Sequence, residues 1–142
     1  MDKEVLKNLI VLSGYGHLIL SMGSMLVPVA LNWKLHLKDL QPLLRQMFWT
    51  YAAYILAINL TFGLICLFGT DELLGTTFLA KSIHLLIGIY WLTRIGIQFF
   101  YFDTTHAPEG IIFTLGEIIL VFLFVLFAIV HTFAFLFTSS WV

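Results

Sequence analysis

Four stretches of this chain, roughly residues 8–31, 47–69, 76–101 and 111–137, each run past twenty mainly apolar residues before a polar or turn-forming break. A helix needs about 20 such residues, at 1.5 Å of rise each, to cross the hydrocarbon of a bilayer. Four such segments account for most of the 142 residues, so most of the chain must live in lipid. Composition agrees, with 61% hydrophobic and 11% charged residues, where a soluble domain carries about a quarter charged. Residues 118–129 show none of the alternation that a membrane β-barrel strand requires. The expected fold is an all-α membrane protein, an up-down bundle of four transmembrane helices making a single domain over residues 1–142.

Several function classes fall away. A net charge of −1 without a basic cluster argues against a nucleic-acid partner. The lone Cys66 excludes a disulfide framework and a zinc ribbon. No P-loop, GxGxxG, GxSxG or HExxH pattern is present. Lys3 and Lys7 precede an apolar run longer than a signal peptide would use, so the first segment is expected to be an uncleaved span. We call the membrane face beside the N-terminus side A and the opposite face side B. Lys3, Lys7 and Lys81 fall to side A, and Lys34, Lys38 and Arg45 to side B, a balance that sets no orientation. Trp49, Tyr51, Tyr101 and Trp141 sit near span ends, where interfacial aromatics belong. Residues 39–54, with Pro42 opening a helix, read as an amphipathic lead into the second span.

A helix in lipid satisfies its own backbone, so each intramembrane polar side chain needs its own reason. Helical spacing gathers them into stripes. The first span aligns Ser13, His17, Ser21, Ser24 and Pro28, and the second aligns Arg45, Ala52, Asn59, Gly63 and Cys66. The third aligns Lys81, His84, Gly88, Trp91, Arg94 and Gln98, and the fourth Glu117, Phe124 and His131. Counting from the span ends places His17, His84, His131 and Asn59 in one layer, roughly 9–15 Å below side A. Arg94 and Glu117 share a second layer near side B, with Gln98 and Arg45 closer to the surface.

Three histidines from three helices at one depth suit a b-type haem, held by two of them, or a transition metal ion. Ser13, Ser21 or Asn59 would then fix the imidazole tautomers. Arg94 and Gln98 suit haem propionates or a quinone carbonyl. The other reading has no cofactor: the imidazoles hydrogen-bond one another and Asn59, holding helices together. Arg94 and Glu117 are expected to form a buried ion pair, whose functional version is a proton or quinone-linked site. His36, Asp103 and His106 on side B form a weaker candidate for a surface metal site, and Cys66 reads as a small packing residue.

This arrangement resembles the four-helix membrane haem proteins: di-haem b-type cytochrome subunits, the CopD-like superfamily and the small bacterial membrane protoporphyrinogen oxidases. In the last group a haem-linked histidine, an arginine and a lysine occupy places comparable to His17, Arg45 and Lys81, and His17-x5-Gly23-x4-Pro28 echoes the first helix. Their aromatic-Ala-Gly-Leu-x-Tyr-Leu-Pro-Arg signature is missing. The resemblance implies a protein of the bacterial inner membrane that binds haem b and carries electrons to or from a quinone or a partner subunit, with an intramembrane oxidoreductase as its catalytic form. The alternative is a non-catalytic accessory or assembly subunit of a larger complex or homo-oligomer. Its histidines would be structural, and the phenylalanine-rich fourth span would face lipid or a partner. A transporter comes third, because so short a chain would have to dimerise to surround a pathway.

Overall fold

The computed structural model describes residues 2–103, 105 and 110–139. Among them are six helices and no strand: α1 Lys3–Ala30, α2 Trp33–His36, α3 Pro42–Phe68, α4 Thr70–Leu73, α5 Phe78–Phe100 and α6 Ile111–Ser139. The four long ones are long and apolar enough to cross a membrane. Trp141 and His106 lie outside the described residues.

The helix boundaries follow local chemistry more than hydropathy. Pro42 opens α3 at its first turn, where a missing N–H costs nothing. The helix therefore starts five residues before the apolar stretch, and Arg45 and Gln46 belong to it. Asn32 breaks α1 from α2 with a left-handed backbone, φ 48°, a conformation asparagine tolerates better than most residues. Thr77 caps α5, its hydroxyl accepting from the Ala80 N–H at 3.2 Å. Gly110, at φ 139°, takes a backbone shape that side-chain-bearing residues avoid just before α6 begins. The short connector at 69–75 contains α4, a single turn lying under the bundle on side A.

Of the four spanning helices α1 is the most buried. It lies against α3 on one flank and α6 on the other, and α6 in turn packs on α5. Small residues let the backbones approach. A Cβ on Gly63 would sit 3.1 Å from the His17 Cβ and 3.2 Å from the Gly14 carbonyl oxygen. A Cβ on Gly88 would meet the Thr132 hydroxyl at 3.3 Å. Such close approach is how helices associate in lipid, where hydrophobicity alone gives no preference for a neighbour. The order around the bundle is thus α3, α1, α6, α5, and the seam between α3 and α5 is the least tightly closed. Large apolar residues such as Leu12, Ile19 and Phe133 remain exposed on the outer faces, where the acyl chains would lie.

Candidate functional site

Two places in the bundle collect polar side chains, and they differ in kind. The first is the histidine layer near side A. His17, His84 and His131 are each 0% exposed, and their hydrogen bonds form a directional chain. Trp91 Nε1–H donates to His17 Nε2 at 2.9 Å. His17 Nδ1–H donates to the Ser13 carbonyl at 2.7 Å. The Ser13 hydroxyl donates to His131 Nε2 at 3.0 Å. His131 and His84 then meet Nδ1 to Nδ1 at 3.0 Å, and His84 Nε2 reaches the Leu73 carbonyl at 3.0 Å. That carbonyl can only accept, so His84 carries its proton on Nε2 and offers a lone pair at Nδ1. His131 must therefore be the donor at its own Nδ1, which leaves Nε2 to accept from Ser13. With the three imidazoles neutral, the network assigns every tautomer.

Every imidazole nitrogen in this layer is consequently used by a protein partner. Haem or metal ligation needs a free ring lone pair facing an open position. The three available lone pairs are taken by Trp91, Ser13 and His131. The face of His17 is covered by Phe127, stacked at 3.8 Å between centroids. Among the described residues no group of three or more His, Cys, Asp or Glu side chains is arranged to hold a metal ion. The histidines expected as haem or metal ligands therefore do not fit that role in this arrangement. What they do is clasp α1, α5, α6 and the α4 turn into one unit. On the surface of side A the same turn is tied to α1 by Lys7 Nζ and Asp71 Oδ1, 2.9 Å apart.

The sequence stripes bring the right histidines together but misplace some companions. Depth counting puts Asn59 in their layer. Gly63 is instead the α3 residue that faces His17, so Asn59 lies one turn nearer side B and bonds no histidine. Ser13 does fix tautomers, whereas the Ser21 hydroxyl bonds only the His17 carbonyl, at 2.8 Å. Cys66 packs in the layer, its sulfur 3.7 Å from His131 Nε2. The closing partners, Trp91 and the Leu73 carbonyl, receive no role from the sequence. Trp91 shares the His84 stripe, and an indole N–H in hydrocarbon needs an acceptor, so its involvement leaves a signal. A backbone carbonyl at the end of a four-residue helix leaves none.

The second place is a chamber on the side-B half, in the seam between α3 and α5, with a volume of 640 Å³. All four spanning helices contribute to its wall, and the aromatic lining includes Trp33, Phe48, Trp49, Tyr90, Trp91 and Phe124. Trp33 meets Phe48 edge-on at 4.8 Å and Trp49 at 5.8 Å, fixing the side-B rim. Trp91 stacks on Phe124 at 4.9 Å and forms part of the wall nearest the histidines. Asn59 and Arg94 are the polar groups deep in this lining. Asn59 is 4% exposed and its Oδ1 has no hydrogen-bond partner, alone in this among buried side-chain polar atoms of the described residues. A hollow of 480 Å³ at the side-A end of the seam carries only Glu72 and Thr77 as polar features beside apolar residues.

Arg94 corrects another expectation. Among the described residues it forms no ion pair with Glu117. Its guanidinium lies over Phe102 and Phe124, at 5.0 and 5.3 Å from the ring centroids. Glu117 is exposed and accepts instead from Gln98 Nε2 at 3.3 Å, so Gln98 stands apart from the chamber. Of the side-B cluster, His36 Nδ1 lies 3.1 Å from the Leu31 and Asn32 carbonyls. Asp103 is engaged by the Thr105 N–H and hydroxyl, and these bonds hold its carboxyl below the usual range. His36 and Asp103 are thus committed to local bonds within their own loops.

Fold and site together define a multi-pass helical membrane protein with a sealed histidine clasp and an aromatic chamber. Comparison with protein-family models, curated proteins and solved structures finds no match.

Proposed function

We propose that this chain is a non-catalytic, membrane-embedded binding subunit whose chamber between α3 and α5 receives a lipid-soluble small molecule from the bilayer. The observation that carries the reading is the chamber itself: 640 Å³ enclosed by a mainly apolar wall, rich in aromatic residues, drawn from all four spanning helices. Its size lies within the range of small-molecule sites, which are largely apolar with a few placed polar groups. The histidines serve this function by rigidity. They fix α1, α5 and α6, and Trp91 carries that order into the chamber wall through its bond to His17.

Extraction of the purified protein with organic solvent, followed by mass spectrometry, tests the reading. We expect a discrete apolar compound at about one per chain, reduced several-fold in Ala52→Trp, which places an indole in the chamber wall. Extracts of both proteins that match empty detergent micelles would overturn it. An oxidised and dithionite-reduced absorption spectrum of the same sample is expected to show no Soret band. A stoichiometric Soret band abolished by His17→Ala and His84→Ala would return the histidines to haem and replace this reading.

A further inference from the structure

We infer that the chamber takes the dihydroxylated aromatic head of a lipid-soluble quinol, one ring hydroxyl donating to the Asn59 amide oxygen and the other ring oxygen accepting from the Arg94 guanidinium. This rests on the reading of the chamber as a ligand site and adds the ligand's chemistry.

Asn59 supplies the first argument. It lines the chamber, is more than nine-tenths buried, and has an amide oxygen without a partner. Buried polar groups in folded proteins are almost always satisfied, and in hydrocarbon no water stands in reserve. A ligand hydroxyl at this depth would donate to that oxygen and complete it, which a quinone carbonyl, itself an acceptor, cannot do. Arg94 supplies the second. It is an intramembrane cation with aromatic faces and, among the described residues, no carboxylate in an ion pair with it, so its N–H edges can serve an acceptor on a ligand. An unpaired ionisable residue within a span marks a ligand or ion position by default.

The placement of the two groups selects among amphiphiles. Gly63 is level with His17, so Asn59, four residues away on α3, stands about 6 Å toward side B of the histidine layer, and Arg94, ten residues beyond His84 on α5, about 15 Å, which leaves the two roughly 9 Å apart in depth. A phospholipid phosphate at Arg94 would leave only acyl chain at Asn59, beyond the midpoint of α3 from side B. A ring with oxygens at opposite ends presents one to each group, and its faces stack on side chains such as Trp91 and Phe124. A prenyl-type tail leaves through the α3–α5 seam into lipid.

The test uses the full chain in nanodiscs of uncharged phosphatidylcholine, titrated with decylubiquinol kept reduced under argon while tryptophan fluorescence is read, since Trp33, Trp49 and Trp91 line the chamber. The comparison ligand is decylbenzene, which keeps the tail and ring and lacks the oxygens. We expect a saturable fluorescence change with the quinol, at an affinity at least about ten-fold above that of decylbenzene. Asn59→Leu and Arg94→Leu should each lower the quinol affinity by about ten-fold, the loss of one good hydrogen bond. Equal affinity for the two ligands overturns the inference and leaves the chamber reading intact. Failure of both ligands to bind removes both. Quinol displaced in proportion to added phosphatidylglycerol assigns Arg94 to a lipid phosphate and also overturns the inference. The two-ligand comparison on the unsubstituted chain decides the matter even if a variant fails to fold.

Discussion

Around His131, in the side-A half of the bundle, all six imidazole nitrogens of the layer have partners between 2.7 and 3.0 Å away. Around Arg94, in the side-B half, a buried amide oxygen has no partner and a guanidinium faces rings instead of a carboxylate, among the described residues. Both halves place polar residues in a membrane, at a cost that must be offset. In the first half the protein offsets it alone, and the result is a rigid clasp with no lone pair left for a metal. In the second a buried amide oxygen stays without a protein partner, the opening that the proposed ligand would fill. Polar residues inside spanning helices are thus not equivalent: those of the first half are satisfied within the protein, and Asn59 is not.

The sharpest way to break this contrast is to remove the centre of the clasp. His131→Ala deletes its bonds to Ser13, Cys66 and His84, leaving His84 Nδ1 without a partner and the Ser13 hydroxyl with only the longer 3.4 Å contact to His17 Nδ1, on residues 0% exposed. Interhelical hydrogen bonds in membranes average only about 0.6 kcal/mol. Stranded buried groups and the vacated ring volume add to that, so a loss of about 2–4 kcal/mol is expected in reversible unfolding by dodecyl sulfate in mixed micelles. Glutamine at 131 can both donate and accept, and should recover part of the loss. A loss below about 1 kcal/mol for the alanine variant would mean that the network does not hold the helices.

Much of this was legible in the sequence. The four spans follow from hydropathy because a bilayer imposes one length on every crossing helix. Stripe and depth arithmetic brings His17, His84 and His131 together because their helices alternate in direction and run nearly the full bilayer. The same arithmetic fails for Asn59 and for Arg94 with Glu117. It gives height along the bundle and says little about relative shift or azimuth. The Gly63 approach to His17 slides α3 so that Asn59 falls a turn away, and Arg94 turns toward the chamber while Glu117 faces outward with Gln98. The tautomer chain was illegible because its last acceptor is the backbone of Leu73, which has no signature in side-chain chemistry.

Trp91 belongs to both halves and so sharpens their relation. Trp91→Phe keeps most of the apolar wall but removes the N–H that His17 Nε2 accepts. About 1 kcal/mol of stability should be lost, together with a several-fold fall in affinity for the chamber ligand. A variant that loses stability while binding unchanged would show that the two halves are independent.

Arg94→Leu should behave oppositely to His131→Ala. Among the described residues no ion pair is broken, and the substitution removes two cation–π approaches, worth about 0.5–1 kcal/mol at partly exposed sites. Removing a charge from the membrane offsets part of that, so stability should change by less than about 0.5 kcal/mol in the same unfolding assay while quinol binding falls. A drop matching that of His131→Ala would make Arg94 a structural residue and dissolve the distinction between the halves.

The smallest effect lies outside both regions, at Asp103, and serves as a control with a defined sign. Thr105 donates to its carboxylate through the backbone N–H and the hydroxyl, which favours the charged form and depresses the folded-state pKa below its ordinary value of 3.8. As pH falls, the unfolded chain takes up its proton first. The stabilisation is therefore fully present above the unfolded pKa and is lost as pH falls through the folded one. Asp103 is fully exposed, so solvent and salt screen the contribution and it should be small. Thermal unfolding of the protein and of Asp103→Asn from pH 7 to pH 2 should show a slight advantage for aspartate that narrows only below about pH 4. A gap that widens toward acid would reverse the sign and show that Thr105 stabilises the protonated carboxyl. A gap that moves with the occupancy of the chamber would tie this loop, which carries Phe102 into the chamber wall, to ligand binding.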